Sequence, residues 1–174
     1  MAVSADALRA HVDYTAWASQ RLLDAASQLT PEELTRDFKT SDKNVLDTLV
    51  HTFAADRIWL RRIEGDPSNI FIDPEDRDLA RLRQAWPALH RQWRAWAARL
   101  TDQQAVAEIS YRDRAANAYR QPLWQIVLHV VNHGTHHRGM VSGFIRAMGH
   151  TPPGLDLIAF YRTSAASGAS EPRA

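Results

Sequence analysis

The sequence predicts an all-α protein, a bundle of four long helices, and three observations carry that expectation. Apolar residues recur in alternating steps of three and four along four separate stretches, the period of one helix face. The pieces between them are rich in Pro, Gly, Ser and Asp. A length of 174 residues suits one domain and is too short for two ordinary ones. The domain is expected over residues 1–162, followed over 163–174 by a loose tail rich in Ala, Ser and Gly.

The first stretch covers about residues 4–29, where Leu8, Val12, Thr15, Ser19, Leu22, Ala26 and Leu29 form a seam for a partner helix. It stops at Thr30-Pro31, where the threonine can cap and the proline can occupy the first turn of a short helix over 31–34. The second long helix is expected over about 44–64, approached through Ser41-Asp42 and closed by Gly65 and Pro67. The third, over about 74–100, has the cleanest seam: Leu79, Leu82, Trp86, Leu89, Trp93, Trp96 and Leu100. Pro87 interrupts it, and the hydrogen bond a proline removes predicts a kink or break near Trp86. Between 105 and 121, the runs Glu108-Ile-Ser-Tyr111 and Asn117-Ala-Tyr119 suit a short hairpin turning at 112–116. The fourth helix starts near Pro122 and runs to about Met148, before Gly149 and Pro152-Pro153 stop it.

Composition narrows the function classes. A chain 45% hydrophobic and 24% charged, with six Trp, has the makings of a packed core and not of a disordered segment. Lys plus Arg total 21 against 20 acidic residues, so no broad cationic surface for nucleic acid is implied. The absence of cysteine excludes disulfides, thiolate metal sites and a cysteine nucleophile. Charge and histidine fall where a signal peptide would need an apolar run, and no 18-residue apolar stretch occurs. A cytoplasmic protein without membrane or nucleic-acid partners is expected.

Four of the eight histidines lie between positions 129 and 137, in HVVNHGTHHRG. The fourth-helix seam is Leu123, Ile126, Val130, His133, His137, Met140, Phe144 and Ala147, so two histidines occupy the core-facing stripe. At i and i+4 the two rings stack on one face and can reach one ion. The other reading is a polar face or a pair of hydrogen-bonded core groups. Between Pro122 and Gly149 there is no Asp or Glu, so charge neutralisation within this helix is unavailable and a cation would suit a neutral His set. His129 and His136 lie on the flank, roughly 60 to 80° from the seam centre. His51, in the second helix, is the natural third donor, but a structural core histidine fits its surroundings as well.

The segments YTAWASQRLLDAASQLTPEEL, NVLDTLVHTFAADRIWLRRIEGD and ISYRDRAANAYRQPLWQIVLHVVNHGTHHRGMVSGFIRAMGHTPPGLDLIAFYR resemble the DinB family, within the DinB/YfiT-like superfamily. The likeness runs from Leu8 to Arg162 and is sharpest at HxxxH-Arg-Gly, His133 to Gly139, preceded by Asn132. The resemblance implies an up-down-down-up four-helix bundle whose middle helices are joined by a long connection, here 65–78. It also implies one nickel or zinc ion held by a histidine of the second helix and two of the last, which carries onto His51, His133 and His137. Where such proteins commonly have Gln after Arg-Gly, this chain has Met140.

Related proteins include transferases and isomerases that use low-molecular-weight thiols, so thiol activation for transfer onto a small-molecule substrate is the leading expectation by resemblance. Three neutral histidines leave a position open on a tetrahedral ion, as in catalytic zinc sites. A metal-dependent hydrolase and a non-catalytic metal-binding stress protein are the rival expectations. By chemistry alone His136, His129, Asp56 and Tyr111 are candidate bases, and Arg138 either orients an anionic group or is a surface or salt-bridged arginine. The tryptophans Trp17, Trp59, Trp86, Trp93, Trp96 and Trp124 read as packing residues for the core or for a homodimer.

Overall fold

The structure is a computed structural model describing residues 3–66 and 70–168. It is mostly helical. Four long helices, α1 (Ala5–Ala26), α3 (Val45–Ile63), α4 (Leu79–Ala98) and α6 (Leu123–Ala147), are accompanied by short α2 (Pro31–Thr35) and α5 (Asp102–Val106) and by α7 (Leu157–Gly168). One antiparallel hairpin, β1 (Glu108–Arg112) with β2 (Ala118–Pro122), completes the described secondary structure apart from a 3-10 turn at Pro74–Asp76. α1 packs on α4 and α6, and α3 packs on α6 and α4, so each long helix touches two others.

The seams explain this packing. All seven first-seam residues, Leu8 through Leu29, are buried, Leu8, Ser19, Leu22 and Ala26 completely. In α4, Leu82, Trp86, Leu89 and Trp93 are buried, and Trp86 lies fully inside. Each such large side chain contributes about 1.5–3 kcal/mol through the water it sheds. That gain decides the fate of Pro87. α4 runs through it as one helix, so of the expected kink or break there is no break. The carbonyl deprived of its partner belongs to exposed Arg83, where water can serve it, while Trp86 and Leu89 on either side stay anchored in the core.

Helix ends follow local chemistry. Thr30 and Glu33 form a reciprocal capping box at α2, as do Thr101 and Gln104 at α5. The cap of α3 is Asn44, which accepts from the Asp47 amide, and not the Ser41-Asp42 pair. Its other end closes on Gly65 at φ +78°, a left-handed conformation natural to glycine. Pro67, the second expected stop, lies outside the described residues. α6 begins one residue after Pro122, which ends β2 instead of opening the helix.

The hairpin pairs Glu108 with Pro122 and Arg112 with Ala118. Asp113 holds its turn by accepting from the Ala115 and Asn117 amides and from the Asn117 side chain. Helix α7 has no counterpart among the expected elements. It reaches Gly168 across the first part of the segment expected to be loose, and residues 169–174 lie outside the described structure. Phe160 of α7 docks on Tyr14 and Trp17 of α1, with ring centroids 5.9 and 5.7 Å away, while the Tyr14 hydroxyl donates to the Leu155 carbonyl at 2.8 Å. Among the described residues no helix is long and apolar enough to cross a membrane.

Candidate metal centre

Between α3 and α6 three histidines converge. His51 is carried by α3; His133 and His137, one turn apart, are carried by α6. Nε2 of His133 stands 3.1 Å from Nε2 of His51 and 3.2 Å from Nε2 of His137. One potential ligand atom of each ring lies within 4.8 Å of the other two. Tetrahedral bonds of about 2.0–2.1 Å from nitrogen to zinc would separate neighbouring donors by about 3.3 Å, close to the spacings found. His137 is buried, whereas His51 and His133 are partly open.

The donor set fits a cation better than it fits itself. A neutral imidazole offers one N–H and one lone pair, so His133 Nε2 cannot satisfy two facing Nε2 atoms at once. A cation would accept all three lone pairs and leave each proton on Nδ1. The outer nitrogens agree with that tautomer: His137 Nδ1 is 3.1 Å from Asp42 Oδ2, and His51 Nδ1 is 3.9 Å from Asp42 Oδ1. Asp42 Oδ2 and His137 Nδ1 are both buried and complete no well-aligned hydrogen bond, and among the described residues His133 Nδ1 has no hydrogen-bond partner. A carboxylate behind a ligating histidine fixes ring orientation and raises its basicity.

Burial also favours the neutral form of the two α6 rings. It pushes His133 down from the ordinary 6.5 to about 4, and the neighbouring His137, His51 and His129 lower it further within that value. His137 is lowered by burial and by His51, with Asp42 pulling the other way. Neutral imidazole is the form a metal needs.

Other candidates from the sequence are placed differently. His129 and His136 are exposed and stay outside the triad: His129 packs on Trp59, ring centroids 5.2 Å apart, and is 5.9 Å from His133, while His136 lies 4.9 Å from His137. Asp56 is buried in the core, where it accepts from the Trp86 indole at 2.8 Å and sits 3.5 Å from His90. Tyr111 donates to Gln121 at 2.6 Å. Arg138 is neither a surface residue nor salt-bridged among the described residues. It is 2% exposed, lies over the Tyr14 ring, donates to Thr135 at 3.1 Å, and reaches Ser19 of α1 at 3.5 Å. Those contacts turn it towards α1. Gly134 makes this possible, because a Cβ there would come within 2.7 Å of the guanidinium.

Two site residues were missed by sequence reasoning. Asp42 reads as part of a helix approach, yet a tight loop with Lys39 at φ +59° and Lys43 at φ +63° turns it under the histidines. The signal was present in part: a carboxylate just ahead of the His51 helix, in a chain whose His-rich helix has no acid of its own. Phe71, edge-on to His51 with centroids 5.3 Å apart, gave no signal of its own.

Comparison with known proteins places the chain in a family. The protein called DinB from Bacillus subtilis (strain 168) is 18% identical over 152 residues, covering 83% of this chain and 87% of the relative. The crystal structure of a DinB-like protein from Bacillus cereus ATCC 10987 superposes with a TM-score of 0.61 at 18% identity, covering 88% of this chain and 99% of that one, so the two share a fold. The model of the DinB family matches residues 1–173, and the chain belongs to the DinB family.

Proposed function

We propose that this protein is an up-down-down-up four-helix bundle that binds one divalent ion, nickel or zinc, through His51, His133 and His137 and activates a low-molecular-weight thiol for transfer. The convergence of three imidazoles, with no carboxylate among the donors and two of the rings partly open, carries this reading. A dication held there would supply Lewis acidity, lowering the pKa of a coordinated water or thiol.

The chain's own residues do the rest. Asp42 holds the His137 ring, and through it the Nε2 lone pair, in place. His129 is the candidate acceptor for a thiol proton. Desolvation of the ring, and then the nearby Arg62, lower its pKa, which favours the neutral form with a free lone pair. Trp59 packs against it and limits water on that side. A small-molecule substrate, a cytoplasmic location and a homodimer complete the proposal. The location accords with a chain free of cysteine, and sedimentation of the untagged protein tests the dimer.

The test uses cobalt as a spectroscopic substitute. Thiol activation predicts that a low-molecular-weight thiol changes the visible spectrum of the cobalt-loaded protein, and that His129→Gln weakens turnover with an electrophile more than it weakens thiol binding. Ester or amide cleavage with a bell-shaped pH profile, and no spectral response to thiols, would indicate a hydrolase instead. A loaded protein with neither response would be a metal-binding module.

A further inference from the structure

Two aromatic rings, Trp59 and Phe71, link the hairpin to the histidines. Trp59 lies eight residues beyond His51 on α3, about two turns along. Beyond His133, His129 leads to Trp59. Beyond His51 stands Phe71. The hairpin touches both: Tyr111 of β1 meets Trp59 edge-on at 5.0 Å, and Arg114 in the turn lies over the Phe71 ring at 4.8 Å. Phe71 is thus the ring that both Arg114 and His51 touch.

This wall is cationic. Arg62 lies over Trp59 at 4.7 Å and over Tyr111 at 5.7 Å, close enough to Arg114 for the two like charges to oppose each other. Asp113, beside them, accepts from the turn amides and the Asn117 side chain and offsets part of this charge, leaving two guanidiniums against one carboxylate. Arg114 is exposed and has no hydrogen bond or ion pair among the described residues, so its fan of N–H donors is available. Three imidazole donors add no negative charge to balance a dication; the nearby carboxylate is that of Asp42, behind His137. An anion approaching from the hairpin side meets positive charge at both ends.

We infer that the hairpin turn is the substrate-reading wall of the centre, and that Arg114 receives the carboxylate of a small thiol whose sulfur reaches the three histidines. The inference rests on the metal-binding reading above and adds the class of substrate. A guanidinium suits this task because it can grip a carboxylate with two parallel hydrogen bonds, and the apolar rings of Phe71 and Trp59, both partly exposed, suit a carbon chain beside them.

The experiment titrates the cobalt-loaded, full-length protein with mercaptopropionate and mercaptohexanoate, each against the chain-matched mercaptoalcohol, following the visible spectrum. Wild type is expected to bind at least one of the acids roughly tenfold more tightly than its alcohol, a preference that shrinks with added salt. Arg114→Gln should bring the ratio close to one and Arg114→Glu should invert it, with cobalt content unchanged in both. Equal affinity for acids and alcohols in wild type, or a preference that survives Arg114→Gln, overturns the inference and leaves the metal site standing. Failure of wild type to take up cobalt overturns the metal-binding reading and this inference with it.

Discussion

At the scale of single residues, the protonation of His133 sets a pH limit. Its folded pKa, about 4, lies below the ordinary 6.5 of an unfolded histidine. The unfolded chain therefore takes up the proton first as pH falls. Stability from the neutral ring is fully present above about 6.5 and is lost as pH drops towards 4, so urea midpoints of the metal-free protein should fall across that window. His133→Gln should flatten the dependence, and an unchanged slope would show that the ring is not held neutral. Asp42 makes a second residue-scale prediction. Asp42→Asn keeps the shape but weakens the acceptor behind His137, and should reduce metal affinity by about 10- to 100-fold without abolishing loading at saturating metal. Competition with a chromophoric chelator measures this.

At the scale of elements, α3 is held to α4 by a buried polar contact. The Trp86 indole donates to Asp56 at 2.8 Å, and the Trp93 indole donates to the Asp56 carbonyl at 3.0 Å. Removing the first donor leaves a buried carboxylate short of a partner, so Trp86→Phe should cost about 1–3 kcal/mol beyond its lost packing, read from urea unfolding. The Thr30 cap is smaller in effect, and Thr30→Ala should cost about 0.5–2 kcal/mol. The helices were legible in the sequence because their seams carry the packing: Leu8 to Leu29, and Leu82 to Trp93, point inward as their spacing requires. α4 survives Pro87 because neighbouring core contacts outweigh one hydrogen bond, a balance that local sequence does not display. α7 escaped notice because its anchor, Phe160 on Tyr14 and Trp17, is a long-range contact.

At the scale of the whole molecule, the centre exists because α3 and α6 pack side by side and bring His51 within 3.1 Å of His133, 82 residues away in sequence. The i,i+4 pair on α6 was readable from spacing, whereas His51 needed family resemblance, since nothing in its own helix distinguishes a ligand from a core histidine. Asp42 lay beyond both, because its place depends on a loop whose left-handed residues are lysines and not glycines. A metal that joins these helices must stabilise the fold by linkage, by about 2.7 kcal/mol at a free concentration one hundred times its dissociation constant. The most direct measurement is the metal content of the untagged protein by elemental analysis, for wild type and for His51→Ala, His133→Ala, His137→Ala and His129→Ala. The expected result is about one ion per chain in wild type and His129→Ala and close to none in the other three. A wild type that holds no metal and cannot be loaded, or a triad variant that keeps its full ion, would contradict a three-histidine metal centre.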